Sequence, residues 1–193
     1  MKRVLAALAC TLVLASSAQA LFGPEGESVE KKREAVRKDR NEIVAKVAAT
    51  NPEVKEKIKK AEGYATFNNK NVYLFMLATG HGYGVVVNNK TGKETFMRMG
   101  SVGGGVGMGA RDLRVLLIFH SQDAMKRFIE EGMQVGSEAG AAAKAGETGG
   151  AGQQTAGVDT GGSMIETYQI VETGVAAQAT VSGVKYWKDT DLN

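Results

Sequence analysis

The 193-residue chain carries 24 lysines and arginines against 21 aspartates and glutamates, with one cysteine and two histidines. That length suits one domain of ordinary size. The near balance of charge gives no global argument for a nucleic-acid partner, and a lone cysteine excludes a disulfide framework.

Lys2 and Arg3, the apolar run Val4 to Ala15 and the small-x-small triplet Ala18-Gln19-Ala20 together predict a signal peptide over 1–20. The apolar run is too short to span a bilayer core of about 30 Å. Cleavage after Ala20 places the protein in the periplasm of a bacterium, free or peripheral on a membrane. It removes Cys10 and leaves 22 basic against 21 acidic residues. Any anion site in the mature chain must therefore be local.

Residues 21–63 have a helical pattern interrupted only near Pro24 and Pro52, each close to a candidate helix start. Asn51 is the expected cap of the second helix and Gly63 its expected stop. Five Glu-to-Lys pairs at i,i+4, from Glu27–Lys31 to Glu56–Lys60, describe a solvated, self-neutralised surface. One face of the first helix differs: Val29, Arg33, Val36, Arg40, Ile43 and Val47 follow one another at four- and three-residue steps. Its second half is a packing stripe. Its first half mixes valine with Arg33 and Arg40, a face suited to the headgroup region of an anionic membrane, or else one that projects into water.

From Tyr64 the period changes. Val72 to Ala78 is continuously apolar and predicts a buried strand; Gly80-His81-Gly82-Tyr83-Gly84 leads into Val85 to Val87, and Asn88 to Gly92 is a turn signal. A strand from Lys93 to Met99 runs into alternating glycines at 103, 105, 107 and 109, which leave one strand face bare and admit another backbone, expected to be another strand. Arg111-Asp112 is the expected bend before Val115 to Phe119. Ser121 caps a short helix carrying Met125, Phe128 and Ile129 on one side and ended by Gly132. Residues 136–163 have the composition of a flexible linker. Met164 to Val171 and Val175 to Trp187 are the last strands, the latter with Val181, Gly183 and Trp187 on its apolar face. Asp189 and Asp191 fall in a polar tail expected to be solvent-exposed. Helices followed by antiparallel strands with one inserted helix define an α+β fold, and so many glycines within strands predict a strongly curved sheet or partly closed barrel.

Little supports catalysis. There is no HExxH pattern, no Walker A sequence, no G-x-S-x-G elbow and no thiol–imidazole pair, and the glycine stripe lacks the helix that a dinucleotide fingerprint requires. The reading is a non-enzyme with no metal and no cofactor.

The segment GHGYGVVVNNKTGKETFMRMGSVGGGVGMGARDLRVLLIF at 80–119 resembles the SYLF (Ysc84-type, lipid-binding) family, in particular its small exported bacterial members. GSEAGAAAKAGETGG at 136–150 and TGVAAQATVSGVKYWKD at 173–189 extend that resemblance over 64–193. It implies a single α+β domain that includes 136–163, so the linker reading yields to it. It also implies binding to membrane lipid, with anionic bacterial phospholipid as the expected partner. The actin role of eukaryotic relatives belongs to the cytoplasm and is not expected here. Arg98, Arg111, Arg114, Lys126 and Arg127 flank the central strands or ride the inserted helix, and are expected to gather as a headgroup cradle with help from glycine backbone N–H groups. The alternative is that they pair with Asp112, Asp123, Glu130 and Glu131 as ordinary surface residues. A second functional reading is a structural or protein-interaction module of the cell envelope that uses the curved sheet.

Overall fold

The computed structural model describes residues 23–132, 134–135, 154–155, 165–172 and 181–193. The leader expected over 1–20, most of the 136–163 stretch and the 175–180 part of the last expected strand lie outside the described residues. So do the side chains of 71–78, 103–111, 134–135, 154–155, 171–172 and 181–182.

Helix α1 spans Val29–Thr50, and Ser28 caps it by accepting from the Lys31 amide at 3.3 Å. It stops where Pro52 disfavours helical geometry in the residue before it. Asn51 thus ends α1, its amide donating to the Val47 carbonyl at 2.8 Å, instead of capping the next helix. Helix α2, Val54–Lys60, begins behind Glu53 with no side-chain cap, and Gly63 opens a strand instead of closing the helix.

Strands β1 (Gly63–Asn88) and β2 (Glu94–Phe119) are each 26 residues long and form one antiparallel hairpin. Neither Gly80–Gly84 nor Arg111-Asp112 breaks its strand, because continuous pairing runs from Gly63↔Phe119 to Val87↔Glu94. The register shifts once, between Phe75↔Gly107 and Leu77↔Gly104, which leaves Gly105 and Val106 opposite Met76. The glycine stripe therefore carries a β-bulge, a device that sharpens local twist. At the hairpin tip the Asn88 side chain accepts from the Lys90 and Thr91 amides at 2.9 and 3.1 Å, and Gly92 supplies the left-handed φ of +69°.

The hairpin curls until its tip meets its base. The Asn89 amide donates to the Glu62 carbonyl at 3.0 Å. A Cβ on Gly84 would fall on the Thr66 carbonyl oxygen and 2.5 Å from the Phe67 ring; one on Gly82 would lie 2.6 Å from the Asn68 carbonyl oxygen. The two ends of β1 thus cross at backbone contact, which bare Cα positions permit. Sequence reasoning expected such an approach at 103–109; the structure describes it at Gly82 and Gly84.

Helix α3 (Gln122–Glu131) follows, with the Ser121 hydroxyl accepting from the Asp123 and Ala124 amides and Gly132 at φ +71° ending it. Strands β5 (Ile165–Glu172) and β6 (Val181–Lys188) share the remaining edge of β2: β6 pairs with 97–104 and β5 with 112–119. The two-residue strands β3 (Gln134–Val135) and β4 (Gln154–Thr155) lie outside β6 and β5 respectively. The result is an α+β fold: three helices on a six-stranded, antiparallel, strongly curled half-barrel sheet, counted among the described residues.

The main core lies inside the curl. Phe67, Met97, Met99, Leu117 and Phe119 pack there with Met125 and Phe128 of α3 and Tyr186 of β6, the Phe67 and Tyr186 ring centroids 4.7 Å apart. Each buried side chain of this size contributes about 1.5–3 kcal/mol. A second core sets Ile43, Val47 and Val54 of the two N-terminal helices against Leu116, Ile118 and Tyr168. A third joins Val36 to Val85, Phe96 and Leu192. In β6 the expected inward face is reversed. Met99↔Tyr186 pairing turns Tyr186 and Val184 inward, which leaves Gly183, Lys185 and Trp187 on the outside.

Candidate binding cleft

A half-open cleft of about 560 Å³ lies between α3, the tip of the β1–β2 hairpin and the segment following β6. Its volume falls within the roughly 300–1,000 Å³ of small-molecule sites. Ile129 of α3 is partly exposed at it, and the buried side chains of Val86, Phe96, Met125 and Leu192 form its floor. Lys93 from the hairpin turn, Lys126 from α3 and Lys188 from the end of β6 add three exposed ammonium groups, and none of the three has an ion-pair partner among the described residues.

Local chemistry explains how these elements converge. Leu192 is buried, and the Asn193 side chain takes the place of a strand neighbour for Phe96: its oxygen accepts from the Phe96 amide at 2.9 Å and its nitrogen donates to the Phe96 carbonyl at 2.8 Å. Asp189 anchors the same segment. It is 2% exposed, accepts from Arg98 Nε at 2.8 Å and from the Asp191 amide at 3.0 Å, while Asp191 accepts from Arg98 Nη2 at 2.9 Å. Of the polar tail expected to be solvent-exposed, Asp191 is exposed but Asp189 is buried, since the end of β6 brings Asp189 beside Arg98, and both carboxylates pair with that guanidinium.

Of the basic residues singled out from sequence, the cleft brings together Arg33 and Lys126. Arg33 on α1 donates to the Leu192 carbonyl at 2.8 Å and pairs with Glu30. Arg40 and Arg37 both bind Glu94, at 2.6 and 2.8 Å, and Arg33 and Arg37 each sit 5.7 Å from the Phe96 ring centroid. This face of α1 is turned onto the sheet, and Glu94 holds it there. Arg98 is taken by Asp189 and Asp191. Arg114 is largely buried and pairs with Glu42 at 3.4 Å. Arg127 is exposed on α3, and the Arg111 side chain lies outside the described residues. Lys93, Lys188 and Glu94 went unnoticed as site residues in the sequence, because only the pairing of β6 with β2 places residues 93–96 beside residues 188–193.

Two further polar groupings are built from distant segments. Asp39 of α1 accepts from Asn68 Nδ2 at 2.8 Å and from the Tyr83 hydroxyl at 2.9 Å, so one carboxylate bridges both ends of β1. Burial, reinforced by the Asp39 charge and hydrogen bond, holds the Tyr83 hydroxyl well above its ordinary pKa. At the other end of the sheet, Lys57 donates to Glu166 at 2.8 Å and to Tyr168 at 3.1 Å, Tyr168 donates to Glu166 at 2.6 Å, and His120 approaches Glu166 at 3.4 Å. His81 lies in the tip half of β1 in register with Gly100. Among the described residues no three His, Cys, Asp or Glu side chains are grouped as a metal site would require.

On the outer face of the sheet, beyond α1, Arg98↔Trp187, Gly100↔Lys185 and Val102↔Gly183 are paired. Val102 is 65% exposed and Trp187 41% exposed, and the Trp187 ring lies over Gly100, where an added Cβ would meet it at 3.0 Å. Among the described residues no helix is long and apolar enough to cross a membrane.

Over 144 residues the chain is 37% identical to a protein named beta cell expansion factor A from Aeromonas veronii. The match covers 73% of this chain and 51% of that protein, so the chain spans about half the length of the curated relative it matches. No family model matches the sequence. No solved structure matches it either.

Proposed function

We propose that the protein is an exported, periplasmic, non-catalytic lipid-binding protein that associates with anionic phospholipid at a membrane surface. The observation that carries this reading is the outer sheet face on which exposed Trp187 and Val102 stand beside Lys185. Tryptophan favours the boundary between headgroups and acyl chains. Each lysine near an anionic surface adds about 1 kcal/mol, screened by salt within a Debye length. The resemblance of residues 64–193 to the SYLF family supports the same class of ligand.

Flotation of the purified protein with vesicles of phosphatidylglycerol or of phosphatidylcholine, at low and at high salt, tests this. Binding to phosphatidylglycerol that weakens with salt, and that falls in Trp187→Ala and Lys185→Glu variants, is the expected result. No flotation with either lipid at either salt concentration overturns the reading and leaves an envelope interaction module in its place.

A further inference from the structure

We infer that the Asn69 carboxamide, inside the curl where the two ends of β1 cross, is the binding site of a buried structural water. The site belongs to the interior of the protein and is independent of the membrane reading.

Three observations carry it. The first is the side chain itself. Asn69 is 0% exposed, and neither its Nδ2 nor its Oδ1 has a hydrogen-bond partner among the described residues. A carboxamide can donate twice and accept twice, and exchanging its nitrogen with its oxygen leaves both ends unbonded. Polar groups buried this deeply are nearly always bonded, to protein or to ordered water.

The second is position. Phe67↔Val115 and Asn69↔Leu113 are alternate pairs and share a face, so Asn69 follows Phe67 into the curl, where Leu113 packs against the main core. Its neighbour Asn68 points the other way and donates to Asp39 of α1. The charged groups of the α1 interface thus lie across the sheet from Asn69. A neutral carboxamide between Phe67 and Leu113 suits an uncharged ligand that both donates and accepts.

The third is enclosure. A Cβ on Gly82 would lie 2.9 Å from Asn69 Cα and 3.0 Å from its Cβ, so the crossing strand closes over this residue at backbone contact. Both ends of β1 pair with β2 and not with each other, and the Asn68 and Thr66 carbonyl oxygens face the crossing strand at Gly82 and Gly84. Main-chain oxygens are therefore close by as further partners, of which a buried water needs roughly two to four in all. A site closed by main chain on one side and by core side chains on the other admits the smallest polar ligand.

Oxygen-17 magnetic relaxation dispersion of the purified protein counts the waters held for longer than the protein takes to tumble. Asn69→Leu replaces the carboxamide with an apolar group of similar size and should lose about one such water per protein. It should also melt at a lower temperature, because the other partners of the water are left unbonded. Asn69→Ser keeps a hydroxyl to hold the water, and its count should be no lower than that of the parent protein. A measurement on the parent alone needs no variant to fold: nuclear Overhauser transfer from water to the Asn69 side-chain amide protons is expected.

Equal water counts in the parent and Asn69→Leu would overturn the inference. So would a higher melting temperature for Asn69→Leu, which is the result of relieving a dry, unbonded carboxamide, or the lack of any transfer from water to the Asn69 amide. None of these measurements contains lipid, so their failure is distinct from failure of the flotation experiment.

Discussion

The main-chain amide of Asn89, in the tip of the hairpin, donates to the carbonyl oxygen of Glu62, the residue before its base, at 3.0 Å. The Asn89 side chain strengthens the same junction by donating to the Ile58 and Ala61 carbonyls at 2.6 and 2.9 Å, where α2 ends. A helix end normally leaves its last carbonyls without partners, and here Asn89, 31 and 28 positions further along the chain, donates to two carbonyls at that end.

Replacing Asn89 with alanine removes both side-chain bonds and leaves the main-chain bond. Each such hydrogen bond contributes about 0.5–1.5 kcal/mol net, so the variant should lose about 1–3 kcal/mol in urea unfolding. A midpoint unchanged from the parent protein would show that the junction does not stabilise the fold.

Gly84 offers a sharper test of the curl. Gly84→Ala places a methyl group on the Thr66 carbonyl and the Phe67 ring, and the carbonyl belongs to a strand that cannot yield. Overpacking of this kind costs about 1–3 kcal/mol or more. Gly92→Ala is the control: its Cβ enters open space and only the φ of +69° is strained, at about 1–2 kcal/mol. Thermal melting should rank Gly84→Ala as the less stable of the two. The reverse order would mean that the ends of β1 do not touch.

Acid sensitivity should trace to Glu166. Burial raises its pKa, but the hydrogen bonds from Lys57 and Tyr168, the Lys57 charge and the His120 contact outweigh burial, and the net shift is downward. A carboxylate with a depressed folded-state pKa adds stability that is fully present above its unfolded value, about 4.3. That stability disappears as pH falls through the lower, folded value. Chemical denaturation between pH 7 and pH 3 should therefore show a loss below about pH 4.3 that Glu166→Gln reduces. Parallel curves for parent and variant would remove Glu166 from the account.

How much of this was legible in the residues depends on distance along the chain. The Ser121 cap, the Gly132 stop and the packing stripe of Ile43 and Val47 are local, and the structure has each of them where the spacing put it, whereas Val36, expected on the arginine-bearing half of that face, is buried too. The α+β class and the strong curvature followed from composition and glycine content. Asn51 was misassigned because a helix-ending residue and a helix-capping residue look alike before proline. Asp189 and Asp191 have the composition of a tail, yet their roles depend on β6 pairing with β2, a register that no local pattern encodes. The cleft was invisible for the same reason: its lysines lie at positions 93, 126 and 188. The face bearing Arg33 and Arg40, read as meeting headgroups or water, is turned onto the sheet instead, because Glu94, which binds Arg40, lies more than fifty positions away where no local pattern reveals it.

The seam at Glu62 and Asn89 also bears on which register the hairpin can hold. From the turn, Asn88 to Lys93, the pairs run outward through one bulge to Gly63 and Phe119. Only a hairpin with every pair and its single bulge in place brings the base back to the turn where it began. A slip of one residue would turn side chains to the wrong face and carry Glu62 away from Asn89. The two ends of the hairpin thus meet at one bond, whose geometry is compatible with a single alignment of the whole 26-residue ladder.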